Sequence, residues 1–239
     1  MSEAPETLDD LVRRVDPDRW LASRFIADAK ARADVIALYA FNHELARVAG
    51  AVREPLMGEI RLTWWREAME ELAAGKPPRA RPVIEALAAS AFPVGDLEVL
   101  PEGRFADLDR EPFEDDEHLY EYLDATIGAV MALAARRLDP AALPEQVRGA
   151  ARAFGLAGLW RVKAAGGRTR LPLDWTAETL RPRLAAELTA AREELTTLPV
   201  AAFPAVAYAA LAKPYAKGRV VGGLENRVRL TFSVLTGRI

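Results

Sequence analysis

The chain contains no cysteine, which removes disulfides, thiolate metal sites and cysteine nucleophiles together. Period-two alternation of apolar and polar residues is scarce, so strand signals are almost absent. There is no unbroken apolar tract of bilayer length: the longest run, in the C-terminal third, is interrupted by Pro204 and Pro214. An excess of one charge sign is also missing. Lys and Arg number 32 against 35 Asp and Glu, a net charge of -3, which gives no reason to expect a nucleic-acid partner. The segment 1–16 is acidic and lacks the basic flank and apolar run of a secretory signal, so a cytoplasmic location is the expectation.

What the chain does have is apolar residues, 51% of 239, spread along its length and sufficient for a sizeable core. A single domain over 1–239 is expected. Stretches rich in Ala, Leu, Glu and Arg recur between Pro and Gly punctuation, the pattern of helices joined by short turns. Asp16 followed by Pro17 is a cap and first-turn pair that predicts a short helix through Ile26. A longer helix is predicted over 29–52, with Val35, Leu38, Phe41, Leu45, Val48 and Val52 at spacings of three and four facing the core. Pro55 opens the next helix, which carries Leu56, Ile60, Trp64 and Leu72 and ends by Gly75. Further helices are predicted over 82–91, 114–138, 144–165, 184–198, 201–216 and 225–235, with 218–223 as the loosest joint. The fold class is therefore all-α.

Four segments carry a resemblance. The first is Asp16-Pro-Asp-Arg-Trp-Leu-Ala, followed by Leu38-Tyr-Ala-Phe. The second is Gly58-Glu-Ile-Arg-Leu-Thr-Trp-Trp-Arg66. The third is Phe105-Ala-Asp-Leu-Asp with Leu119-Tyr-Glu-Tyr-Leu-Asp-Ala-Thr-Ile-Gly128. The fourth is Ala153-Phe-Gly-Leu-Ala-Gly-Leu-Trp-Arg161, running on to Gly167-Arg-Thr-Arg-Leu-Pro172. In this order they resemble the squalene/phytoene synthase family, whose members condense two isoprenoid diphosphates head to head inside a helical cavity. The resemblance implies a single helical domain of the trans-isoprenyl diphosphate synthase (terpenoid synthase) type.

In that family two Asp-x-x-x-Asp motifs hold Mg²⁺ against the leaving diphosphate. On a helix, positions i and i+4 share a face, so each motif aims two carboxylates at one cluster. Here the first motif falls on Ala46 and Gly50, with Arg47 between them, and the family's preceding arginine is His43. The second should follow Arg161, where Val162 to Arg168 contains no carboxylate. A second tyrosine expected three residues beyond Tyr122 is Ala125. The resemblance thus implies a pseudoenzyme without cofactor. Mg²⁺ enters only under the alternative, an active head-to-head prenyltransferase with a rebuilt site.

The candidate residues of the former cavity are Tyr39, His43, Glu44, Arg47, Arg66, Tyr122, Arg161 and Arg168. Arg66, Arg161 and Arg168 are the side chains suited to bind an anionic head group directly, and an apolar cavity would suit an isoprenoid or lipid ligand. The acidic run Glu114-Asp-Asp-Glu117 is read as a helix first turn meeting its dipole rather than as a metal site. His118 is read as a surface residue, and at least one of Trp64 and Trp65 as core. The part carrying Val200 to Leu211 and then Lys213, Lys217, Arg219, Arg227 and Arg229 reads as a packed helix with a basic outer face, or as a surface that rests on a membrane or a partner.

Leu38-Tyr-Ala-Phe-Asn-His-Glu-Leu-Ala-Arg47 and Gly58-Glu-Ile-Arg-Leu resemble an aspartate-poor branch of the family that includes assembly factors of respiratory complex I. That branch implies a non-catalytic role in assembling the NADH:quinone oxidoreductase, with a complex I subunit as partner and peripheral contact with the inner membrane.

Overall fold

Helix starts in this chain are set by short polar side chains. Asp16, Asp28, Asp115 and Thr176 each accept a hydrogen bond from a first-turn backbone N–H, at 3.3 Å from Arg19, 2.6 Å from Ala31, 2.9 Å from His118 and 3.3 Å from Thr179. The computed structural model describes residues 6–218 and 223–239. Among the described residues there are helices and no strand, as expected for an all-α chain. The chain divides into two compact units, Met1–Leu108 and Asp109–Ile239.

The first unit contains α1 (Leu8–Val15), α2 (Pro17–Ser23), α3 (Ala29–Ala46), α4 (Pro55–Ala73), α5 (Pro82–Ala88) and α6 (Val99–Gly103). Helix α3 is its centre, packed on α1 and α5. Every residue from Asp34 to Asn42 is buried, so this helix is enclosed on all sides rather than along one stripe. Asp34 is held by Lys30 at 2.7 Å and by the Ala91 N–H at 3.2 Å, which offsets the cost of burying a carboxylate. The helix predicted over 29–52 stops at Ala46. Pro55 forces Glu54 out of the helical region (φ -98°, ψ 126°), Val52 is extended as well, and only a 3₁₀ turn at Ala49–Ala51 lies between. Helix α4 opens on Pro55 and is closed by Gly75 at φ 75°, in agreement with the predicted limits.

The second unit contains α7 (Asp116–Leu123), α8 (Ala129–Leu138), α9 (Arg148–Ala164), α10 (Ala177–Glu194), α11 (Ala212–Ala216) and α12 (Gly223–Thr236). The predicted helix 114–138 is α7 and α8 joined through a π-helical turn, Asp124–Gly128. Helix α10 begins seven residues before the predicted 184. Pro182 inside it forgoes a backbone bond at a cost of about 3 kcal/mol. The reciprocal Thr176–Thr179 cap contributes about 1 kcal/mol, and burial of Leu180 about 2 kcal/mol more. The segment predicted as one helix over 201–216 is instead two 3₁₀ stretches, Val200–Ala205 and Ala207–Leu211, followed by α11. Pro204 and Pro214, each without an N–H, keep it from running as one α-helix.

Helices α9 and α10 form the main packing contact of this unit. At Gly149 a β-carbon would stand 2.7 Å from the Ala191 nitrogen and 2.9 Å from the Glu187 carbonyl oxygen, so only glycine lets the two backbones approach this closely. Of the expected loose joint, the residues between Gly218 and Gly223, Arg219 included, lie outside the described residues.

Candidate functional site

In the first unit, α3 carries Tyr39, His43 and Glu44, and Arg47 follows at its C-cap. Tyr39 is buried, with the Arg19 guanidinium 5.7 Å from its ring centre. His43 is half-buried. Burial holds its imidazole below the usual histidine range, Glu44 and Asp16 acting against that shift and Arg47 and Arg14 with it. Arg47 donates to Glu44 at 3.2 Å. Ala46 and Gly50 are exposed, and a side chain at Gly50 would meet nothing within 4 Å. Because α3 ends at Ala46, the two positions do not share the face of one α-helix.

Glu44 and Arg47 line a groove of about 440 Å³ together with Arg61, Arg81 and Trp64. The Trp64 ring has two guanidiniums near its centre, Arg79 at 4.8 Å and Arg81 at 5.5 Å, and meets buried Trp65 edge-on at 5.1 Å. Arg66 is engaged with two carboxylates, Glu102 at 3.3 Å and Glu70 at 3.5 Å. Arg61 and Arg81 were not among the residues singled out from sequence. Arg61 comes from α4 and Arg81 from the N-cap of α5, and no spacing in the chain announces that they share a groove with Arg47.

In the second unit, Tyr122 packs its ring 5.1 Å from Phe113, and its carbonyl accepts from Thr126 Oγ1 at 2.6 Å. Arg161 lays its guanidinium 4.2 Å from the centre of the Tyr215 ring. Helix α9 then ends abruptly: Gly167 N–H donates to the Val162 carbonyl at 2.9 Å and Gly166 N–H to Lys163 at 3.0 Å, with Gly166 at φ 77°. This is a Schellman closure. It uses the positions where the second aspartate motif would continue, and it leaves Arg168 exposed beyond the helix. Asp124, at the head of the π turn, is bound at both oxygens by Arg152, at 2.8 and 2.6 Å.

Asp115 caps α7 and binds His118 Nδ1 at 2.8 Å, His118 being exposed and raised in pKa by that carboxylate. Asp116 accepts from Trp175 at 3.1 Å and Arg183 at 2.6 Å. Both acids are thus occupied with protein donors. No group of three or more acidic or histidine side chains suited to a metal ion occurs among the described residues. A divalent cation of the kind the family uses needs several oxygen ligands. The methyl group of Ala46, the bare α-carbon of Gly50 and the closure after Arg161 do not fit one.

The comparisons with known proteins agree with this architecture. The squalene/phytoene synthase family pattern matches residues 12–198. Human "NADH dehydrogenase (ubiquinone) complex I, assembly factor 6" is 36% identical over 76 residues, 32% of this chain and 22% of that protein. The mouse protein of the same name is 28% identical over 127 residues, 52% of this chain and 38% of that protein. The matched stretches thus span well under half the length of these curated relatives. A crystal structure of a dehydrosqualene synthase in complex with ligand superposes with a TM-score of 0.74 at 16% identity, covering 96% of this chain and 94% of the other. That likeness is one of fold. With the family pattern running through most of its length on the matching helical fold, the chain belongs to the squalene/phytoene synthase family.

Proposed function

We propose that this chain is a non-catalytic member of its family that acts in the assembly of respiratory complex I while resting on a membrane surface. The observation that carries the first part is chemical. Both positions where the family holds metal carboxylates lack them, and in each case the helix stops where the motif would run. Ionising an allylic diphosphate depends on electrostatic positioning, and these positions offer no oxygen ligands to provide it. The assembly role is supported by the relatives that carry that name. A subunit of complex I is the partner this reading requires, and no metal cofactor is needed.

Support for membrane contact comes from α12. No helix among the described residues is long and apolar enough to cross a membrane, but Leu224, Val228, Phe232 and Leu235 are 76%, 61%, 64% and 78% exposed. Spacings of four, four and three place them on one face, beside the exposed Arg227 and Arg229. Arg229 is paired with Glu225 at 2.9 Å, and the apolar stripe with Arg227 beside it suits the surface of an anionic bilayer.

Deleting the gene and measuring assembled complex I on native gels tests the assembly role; loss is expected, and unchanged levels would refute it. Incubating the purified protein with Mg²⁺ and farnesyl diphosphate tests the chemistry. No pyrophosphate release is expected, and sustained turnover would establish the alternative, a prenyltransferase with a rebuilt site.

A further inference from the structure

We infer that a groove between α9, α10 and α11 in the second unit binds a single-chain anionic amphiphile, an apolar chain ending in a carboxylate or phosphate. The groove encloses about 810 Å³, within the range of about 300–1,000 Å³ typical of small-molecule sites. None of the eight residues singled out from the sequence lines it, and the inference does not rest on the assembly role.

Its base is apolar. Trp160 comes from α9, and Leu180, Leu184 and Leu188 come one turn apart from α10; the three leucines are at most 6% exposed. Its charged lining consists of Arg181, Arg192, Lys213 and Lys217, with no carboxylate. The ion pairs of the described residues involve none of these four cations. By contrast, Arg152, Arg170 and Arg183 of the same unit each hold an acid within 3 Å. Lys213 is pushed below the ordinary lysine range first by burial, and the neighbouring Arg192 and Arg229 add to the shift.

Charge complementarity selects the ligand. A neutral lipid would fill the apolar base and leave the cations repelling one another, whereas a small anion would meet the cations and leave the apolar lining at half-buried Trp160 and exposed Ala164 and Ala177 uncovered. A molecule with both parts satisfies both, its head group forming charge-assisted hydrogen bonds at the mouth and its chain covering the apolar lining around Trp160 and Ala164. A free fatty acid or prenyl phosphate and a bilayer phospholipid share this chemistry.

The test is a titration of the full chain with parinaric acid, a fluorescent long-chain carboxylate, in parallel with the corresponding alcohol. Saturable binding of the acid is expected. Arg192→Glu with Lys213→Glu, at exposed positions, should weaken the acid about tenfold or more, the equivalent of at least about 1.4 kcal/mol, while changing the alcohol little. Leu184→Trp, filling the base, should weaken both, with circular dichroism reporting its fold. Displacement of the probe by monomeric oleate or farnesyl phosphate upholds a free amphiphile as the source, and displacement by phosphatidylglycerol vesicles upholds a bilayer lipid. Absence of saturable binding, or charge reversal that weakens acid and alcohol equally, would overturn the inference.

Discussion

Arg152 grips Asp124 at two points, Nε on Oδ1 at 2.8 Å and Nη2 on Oδ2 at 2.6 Å, and so ties α9 to the first residue of the π turn. The same guanidinium lies 4.8 Å from the centre of the Tyr120 ring. Paired charge-assisted bonds of this geometry are stronger than neutral ones, although side chains 24% and 36% exposed let water discount them. Arg152→Leu is expected to cost about 1–2 kcal/mol, read as a lower urea midpoint. A double-mutant cycle with Asp124→Asn should give a coupling of about 1 kcal/mol, and a coupling near zero would refute the pairing.

Glu187 lies beside this pair. Burial raises its pKa above the ordinary 4.5, Glu194 and Asp124 add to the rise, and Arg152 and the Tyr120 hydroxyl oppose it; the Tyr120 phenol is itself pushed up to about 12, chiefly by burial. Between 4.5 and the raised value the folded chain holds more protons than the unfolded one. Glu187 therefore favours the fold at low pH, and this contribution is lost as pH rises through that window. Glu187→Gln should flatten the corresponding slope in Tm against pH, and an unchanged slope would show that Glu187 does not titrate this way.

His43 has the opposite sign. Its pKa lies below 6.5 when folded, so the unfolded chain takes up the proton first on acidification. The stability this group contributes is present above pH 6.5 and lost as pH falls through the folded value. The imidazole resonances should titrate with a midpoint below 6.5, and His43→Gln should remove the associated loss of Tm. A midpoint above 6.5 would contradict the burial of the ring.

Gly149→Ala is expected to destabilise the second unit by about 1–3 kcal/mol. The added methyl group meets backbone atoms of α10 at 2.7 and 2.9 Å, and backbone cannot rotate away as a side chain can. Thermal unfolding measures the loss. Gly95→Ala, where a β-carbon meets nothing within 4 Å, is the comparison and should change little.

Restoring both aspartates of the first motif, Ala46→Asp with Gly50→Asp, should leave the fold intact, since both positions are open to solvent. It should not create tight Mg²⁺ binding by calorimetry, because α3 ends before the second carboxylate. Binding in the micromolar range would show that the backbone rewinds to bring the pair together.

Local chemistry made much of this fold legible in advance. Asp16-Pro17 and Pro55 start helices as expected because a cap and a proline act on their own turn. Ends were harder to read. The apolar spacing of α3 continues through Val48 to Val52, yet α3 ends at Ala46 and the chain passes through a 3₁₀ turn to an extended Val52. The π turn inside 114–138 left no mark on the apolar pattern, and α10, predicted from 184, starts at the Thr176 cap with Pro182 inside it. At the candidate site, Tyr39, His43, Glu44 and Arg47 fall together on one helix, as their spacing requires. Arg61 and Arg81 arrive from other elements, as do the four cations of the α9–α10 groove, which are spread over 37 positions from Arg181 to Lys217. Such convergence comes from packing, and one-dimensional patterns do not encode it visibly.

The contact at Gly149 has a mechanical meaning. Helices α9 and α10 touch backbone to backbone there, at Glu187 and Ala191, and the neighbouring Leu188 and Arg192 line the groove. One wall of the groove is therefore fixed where the two backbones meet, and any side chain at 149 larger than hydrogen would wedge the helices apart and reshape that wall.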